Sequence, residues 1–302
     1  MRQAENKCKI EGILSEINLK DIEYSRNGAK QKAIAGNIIV KVNQMISGTE
    51  KELFVPVHMF AAQLTQKGTQ NPAYESARKV KEEFISIAAC GDEEMADRIR
   101  ITGGQITVNE YFNADGRLQS YPRIRASFVN KIKKAECHPE ASFAVEFSIA
   151  AMTEEVGIDG EPTGATIVKA IIPQYGERVD VVNFRAETPK VIEGISSIWS
   201  VNDTVKANGK IDFSSETRIT MREVDFGDPV EEAHTVQRSN LVITGGTEPL
   251  DPEFGFTHDE VQKALTERKM RLEEQKKRDM NRAPKQQAAP APSTEGFADL
   301  GF

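Results

Sequence analysis

Glu52-Leu-Phe-Val-Pro-Val-His-Met-Phe60 alternates residue by residue. Successive side chains of a strand point to opposite faces. Leu53, Val55, Val57 and Met59 therefore share one face, and Phe54, Pro56, His58 and Phe60 share the other. The aliphatic set is the natural core face. Downstream the period changes. Asn71-Pro72 joins a capping side chain to a proline at the first helical position. The spacing predicts a helix to about Ala89, with Gly91 just past its end. Upstream, Lys7–Leu19 and Ala33–Val42 read as strands, with polar loops at Tyr24–Gln31 and Asn43–Glu50. Downstream, Ile99–Phe112 and Arg123–Ile132 read as strands around a hairpin tip at Asn113-Ala114-Asp115-Gly116. Three strands, a helix and two strands is the order of an OB-fold, a small five-stranded barrel.

The pattern then repeats. Ser142–Met152, Thr166–Ile172 and Arg178–Phe184 are predicted strands, and Thr188-Pro189 caps a short helix to about Ile198. Thr204–Phe213 and Thr217–Val224 are predicted to form a closing hairpin. Val55-Pro-Val-His-Met-Phe60 resembles Val179-Asp-Val-Val-Asn-Phe184, and Gly104-Gln-Ile-Thr-Val108 resembles Gly209-Lys-Ile-Asp-Phe213. The expected fold class is mainly β: two tandem OB-fold barrels, a C-terminal helix and a tail. The first barrel spans residues 1–134, with a helical insertion at 61–98. The second spans 135–228, a connector and charged helix 229–282, and a linker with a tip 283–302.

The charge is unevenly spread. The chain has 302 residues and a net charge of −7, but residues 1–134 balance at +5, residues 135–242 at −10 and residues 243–302 at −2. A polyanion would meet the first third, not the second. Hydrophobic residues make up 39% and charged residues 28%, which excludes a wholly disordered chain. No apolar run approaches the roughly 20 residues that cross a bilayer, and no secretory leader is visible. Cys8, Cys90 and Cys137 are widely spaced, against a disulfide framework or a zinc site. A reducing cytoplasm and no membrane association are expected.

Strand parity then assigns the outer surface of the first barrel. Ile106 and Val108 point in, while Thr107, Asn109 and Tyr111 point out. Gly103-Gly104 marks a bulge, because Ile99 and Ile101 have the opposite parity. Ile124, Ala126 and Phe128 point in; Arg123 and Arg125 point out. Phe54, Phe60, Tyr111, Arg123 and Arg125 together would make a stacking platform with cations. Every base has a π-face, so such a surface grips single strands with little sequence preference. The two phenylalanines could equally pack under the inserted helix or at a dimer contact.

Catalytic signatures are missing. There is no GxxxxGK[ST], HExxH or GxSxG, and His58, His138, His234 and His258 have no metal-like spacing. No catalysis, cofactor or metal is expected. Near the C-terminus, Thr257 and Glu260 form a capping box, and Phe256 with Val261 a hydrophobic staple. The helix they open runs to about Asn281 and, with few apolar positions, reads as solvated or oligomerising. Residues 283–294 are rich in Pro, Ala and Gln and are expected to be disordered.

The sequence resembles the bacterial and phage single-stranded DNA-binding proteins. Asn6-Lys-Cys-Lys-Ile-Glu-Gly-Ile-Leu14 is similar to that family's first strand, with its glycine in an apolar run. Glu52–Phe60 is similar to the third strand, with aromatics at Phe54 and Phe60, and Gly104–Gly116 to the fourth strand and hairpin, with Tyr111 at a stacking position. Asp299-Leu-Gly-Phe302 is similar to the acidic tip that ends in phenylalanine. The resemblance implies sequence-tolerant single-stranded DNA binding in DNA replication, recombination or repair, in a phage or bacterial cell. It also implies recruitment of replication and recombination proteins through Asp299, Leu300 and Phe302, and it allows a homodimer. The chain departs from the family in its second barrel, its insertion, its helix and its sparsely acidic tip. The second barrel keeps Phe184 but puts Arg178 in the place of Phe54, and its hairpin reads as too short for a Tyr111 equivalent. With its acidic balance, it is expected to be structural or protein-binding. Two rival readings are a tandem OB-fold scaffold that holds a replication complex without gripping DNA, and a nuclease with an unrecognised carboxylate site.

Overall fold

The computed structural model describes residues 1–26, 28–113, 115–157, 160–222 and 230–281. Strands β1 (Asn6–Arg26), β2 (Ala29–Ile46), β3 (Thr49–Ala62), β4 (Arg98–Phe112) and β5 (Leu118–Arg125) form the first barrel. Helices α1 (Pro72–Glu83) and α2 (Ile87–Cys90) lie between β3 and β4. β1 pairs with β2 on one side and β4 on the other, and a parallel pairing of Val57 with Ile124 joins β3 to β5. That closes the ring in OB-fold order. Leu53, Val55, Val57 and Met59 are fully buried inside it, as the alternation requires.

The second barrel repeats this plan. Strands β7 (Glu140–Val156), β8 (Pro162–Pro173), β9 (Val179–Ala186), β10 (Thr204–Arg222) and β11 (Val230–Gly246) enclose it, with α3 (Pro189–Ile198) between β9 and β10. β7 pairs with β10, and Arg185 of β9 meets Val242 of β11 in parallel. A three-residue strand, β6 (Asn130–Ile132), adds to β4 opposite Arg98–Arg100. The two barrels fuse into one sheet because β1 and β7 pair antiparallel, from Asn6 with Val145 to Glu11 with Glu140. Polar groups seal the seam. Gln44 donates to the carbonyls of Ala141 and Ile211 at 3.2 and 3.0 Å and accepts from the Ala141 N–H at 2.9 Å. Lys51 meets the buried Asp212 carboxylate at 2.7 Å.

Two glycines allow close backbone approach. A Cβ on Gly12 would stand 2.2 Å from the Lys41 carbonyl oxygen, and one on Gly209 would stand 2.0 Å from that of Val242. Any side chain there would push β1 from β2, or β10 from β11.

Several expectations are corrected. β1 and β2 run nearly to the Asn-Gly turn, so Tyr24 and Gln31 are paired strand residues and not loop. β3 begins at Thr49 after a turn in which Ser47 and Gly48 both have positive φ. The inserted helix breaks at Phe84–Ser86. Asp97 accepts from the Ile85 N–H through its side chain, and its own N–H donates to the Ile85 carbonyl, drawing that backbone out of the helix. β5 ends at Arg125, so Phe128 lies beyond the alternation and is 53% exposed instead of facing the core. Residues 217–222 continue β10, and the closing strand comes from 230–246, in the stretch read as a connector. The second barrel thus reaches Gly246, and its β10–β11 hairpin is long, not short.

The capping box and staple hold. In α4 (His258–Asn281) the Glu260 carboxylate accepts from the Thr257 N–H at 3.1 Å, and Phe256 and Val261 are both buried. The helix is not free in solvent, however. Val261, Ala264, Leu265, Arg268 and Gln275 lie on its docked face at helical spacing, against the second barrel and the β4–β5 hairpin.

Candidate nucleic-acid interface

The outer face of the first barrel is built by even positions of β3 and odd positions of β2, β4 and β5. Phe54 stands opposite Lys41, whose ammonium lies 6.0 Å from the ring centroid. It remains 46% exposed, so it does not pack under α1, whose buried Ala77 and Val80 enter the core instead. Phe60 is half-buried, and Tyr24 of β1 meets it edge to face at 5.4 Å. His58 lies between these phenylalanines and registers with Arg125 on the parallel strand. Arg123 follows one pleat further along β5, opposite Thr107.

Electrostatics make this patch a receptive one for anions. Neither Arg123 nor Arg125 forms an ion pair among the described residues. Burial and the neighbouring Arg125 destabilise the charged form of Arg123, with Asp180 opposing, and its Nε is buried without a partner among the described residues. Burial, reinforced by Arg123 and Arg125, pushes the His58 imidazole down to about 4, so the ring is neutral near pH 7. Its Nδ1 lies 3.1 Å from the Asn37 amide oxygen. An anion at this place would relieve three groups at once.

Tyr111 is also on the outer surface, but not beside Phe54. It pairs with Gln119, six residues before Arg125, which is about 20 Å along the strand. There it stacks with Tyr121, with centroids 6.3 Å apart and planes at 30°. Tyr111 is 43% and Tyr121 48% exposed. The aromatics are therefore on separate elements, Phe54 and Phe60 on β3 and the Tyr111–Tyr121 pair on the β4–β5 hairpin, with Arg123 and Arg125 on β5 near its pairing with β3. Tyr24 and Tyr121 join this surface beyond what the sequence indicates, and His58, whose outward direction the alternation gives, joins the site through its register with Arg125. Tyr121 has the same odd parity as Arg123, so the alternation places it on the same face once β5 begins at Leu118. Tyr24 lies in a polar stretch with the composition of a loop, although it pairs with Gln31.

The second barrel differs. Phe184 is fully buried and stacks on Phe147 at 5.1 Å, with Phe143 at 5.2 Å. It is a core residue and not an outward counterpart of Phe60. Its inward neighbours are Val182 and Ala186, so its face corresponds to that of Leu53, Val55, Val57 and Met59 and not to that of Phe60. A one-residue slip exchanges the two faces of a strand. The outer side of β8 and β9 is also roofed. The β4–β5 hairpin and α4 lie over it, leaving a cavity of about 450 Å3 lined by Val108, Pro122, Lys169, Asn183, Arg185 and Arg268, among others. Beside it, Asp180 accepts from Gln174 at 3.1 Å. Burial, with Glu110 adding, raises the Asp180 carboxyl to about 6, against the pull of Gln174 and Arg268.

Among the described residues no cluster of three His, Cys, Asp or Glu side chains is placed to hold a metal ion, and no helix is long and apolar enough to cross a membrane. Asp299, Leu300 and Phe302 lie outside the described residues, as do the linker residues 283–294.

The profile of the YorF family matches residues 4–278 of this sequence. The chain belongs to the YorF family. Comparison with curated proteins finds no match. Among solved structures, this YorF-family chain is similar to the wild-type single-stranded DNA binding protein from Thermus aquaticus. The TM-score is 0.49 at 11% identity, over 85% of this chain and 99% of that one. A deletion mutant of the same Thermus aquaticus protein gives a TM-score of 0.49 at 12% identity, over 86% of this chain and 100% of that one. The OB-fold assignment rests on the strand pairings and not on these likenesses.

Proposed function

We propose that this chain binds single-stranded DNA, with little sequence preference, on the outer face of its first barrel. The observation that carries the reading is the company of Phe54, Phe60, Tyr111 and Tyr121 with Arg123 and Arg125, two cations in no ion pair among the described residues. Unstacked bases supply π-faces for the rings, and phosphates supply counter-charge for the guanidiniums. Duplex bases are already stacked on one another and offer the rings nothing. The role is binding during DNA replication, recombination or repair, and not catalysis. Residues 299–302 are the proposed recruiting tip for replication and recombination proteins. The acidic second barrel supports the first, and its Phe184 serves the core and not a stacking face.

The test is a titration of a labelled thymine oligonucleotide against duplex DNA and RNA at two salt concentrations. Single strands should bind well above duplex. Affinity should fall by roughly 0.7 log units per tenfold salt for each phosphate neutralised. Equal affinity for duplex and single strand, or a titration insensitive to salt, refutes the reading.

A further inference from the structure

The β4–β5 hairpin continues past the closure of the first barrel as a two-stranded arm, from the Thr107–Arg123 pair to the Phe112–Leu118 pair. Its two faces differ. Tyr111 and Tyr121 stack on one, open to solvent. Glu110 and Phe112, at the intervening positions, belong to the other. An isolated two-stranded ribbon is marginally stable at best, so a bare arm would not hold two rings at a fixed place.

Helix α4 lies along that second face. Arg268 forms an ion pair with Glu110, with both side chains more than four-fifths buried. Two turns later, Gln275 donates to the Glu110 carbonyl oxygen at 2.7 Å. Lys276 sits 5.8 Å from the centroid of Phe112. A Cβ on Gly116 would lie 3.4 Å from Lys276 Cε and 3.8 Å from Met280 Sδ, so the helix reaches the turn of the hairpin. The root of α4 is anchored elsewhere. Phe256, Val261 and Ala264 are buried, Arg2 stacks over Phe256 at 4.5 Å, and the N-terminal ammonium meets Glu260 at 3.5 Å. From Val261 to Met280 the helix spans roughly 29 Å at 1.5 Å per residue, longer than the arm it backs.

We infer that α4 is a strut that positions the Tyr111–Tyr121 pair for stacking on bases, while its own residues stay behind the arm and off the nucleic acid. This rests on the single-strand reading above. Anchored at one end and laid along the arm at the other, the helix converts a flexible ribbon into a preorganised limb. Preorganisation strengthens binding by lowering the ordering cost met at association. Arg268 and Gln275 are positioning residues in this scheme.

The experiment uses the full chain with Arg268→Ala and Gln275→Ala combined. A second variant, Gln275→Pro, breaks the helix beyond its buried root. Each is compared with Tyr111→Ala/Tyr121→Ala and with the combination of both sets. Hydrogen exchange over residues 107–122 reports whether the arm has loosened, and a thermal melt reports whether the barrels remain folded. Affinity is read with thymine oligonucleotides of about 8 nucleotides, within the span of one barrel, and about 30. The arm should exchange faster in both strut variants. Affinity for the long oligonucleotide should fall about fivefold or more, the scale of one weakened base stack, and the short one should change less than about twofold. Added to the tyrosine substitutions, the strut substitutions should cost little more, because nothing remains to be positioned. A loosened arm with unchanged long-oligonucleotide affinity overturns the inference, as do losses that add fully to those of the tyrosines. So does an arm that stays protected in both variants. If the unmutated chain binds neither oligonucleotide, the single-strand reading itself has failed.

Discussion

Replacing Phe54 with alanine separates a stacking ring from a core ring, provided stability and binding are both measured. Phe54 is 46% exposed. An aromatic side chain buries about 150–250 Å2 when fully covered, so about 70–115 Å2 remains for a base to cover. At about 25 cal/mol per Å2, covering it is worth about 2–3 kcal/mol, inside the range of about 1–3 kcal/mol found for one stacked base. Phe54→Ala should therefore weaken single-strand binding by about 30-fold to 150-fold. By the same coefficient, the half already buried limits the folding loss to about 2–3 kcal/mol. Phe184→Ala should do the reverse. That ring is wholly buried against Phe147 and Phe143. Its removal should cost about 3–5 kcal/mol of stability and leave the affinity of the folded fraction unchanged. Fluorescence anisotropy with a labelled thymine oligonucleotide gives the binding, and urea melts give the stability. A Phe54→Ala protein that binds like the parent refutes the stacking assignment. One that loses more than about 3 kcal/mol of stability marks Phe54 as a packing residue. If Phe184→Ala weakens binding more than Phe54→Ala does, the roles of the two barrels are reversed.

The His58 ring, held at about 4 against an ordinary 6.5, should take up a proton when a phosphate offsets Arg123 and Arg125. Single-strand affinity should then rise as pH falls from about 6.5 to about 4, and His58→Gln should flatten that rise; a parent profile no steeper than the variant's refutes it. The Asp180 carboxyl, raised from 3.8 to about 6, binds its proton more tightly folded than unfolded. Its contribution to stability is present below its unfolded value and lost as pH rises through about 6, so urea midpoints of the parent should fall relative to Asp180→Asn across that window. Parallel midpoints at pH 4 and pH 7 would show that the carboxyl is not perturbed. Deleting residues 295–302 should leave single-strand affinity equal or slightly higher and abolish co-purification of replication proteins; a truncation that retains every such protein, or that loses DNA binding, removes the tip from the proposal.

Period-2 alternation and capping chemistry were enough to place most elements. The four aliphatic residues from Leu53 to Met59 could face only a core, and Asn71-Pro72, Thr188-Pro189 and the Thr257–Glu260 box could only begin helices. These signals are local, and local backbone sterics and hydrogen bonding decide them. The outward directions of Phe54, Tyr111 and Arg125 followed from the same alternation. What depended on distant partners was not legible. The face of Phe184 turned on a one-residue register that only pairing with β8 fixes. The closing strand of the second barrel is recognised by its partners on β9 and β10 and not by its own pattern. The separation of Tyr111 from Phe54 arises because β5 leaves β3 after two pairings and follows β4 outward. The role of α4 was invisible for the same reason. Its docked face is half polar, so its sparse apolar positions look solvated until Glu110 on a strand 158 residues away supplies the partner for Arg268. Sequence thus determined most of the strands and helices and the outward directions of Phe54, Tyr111 and Arg125. Tertiary structure decided which outward residues became neighbours, since that depends on strand register and on contacts between elements far apart in the chain.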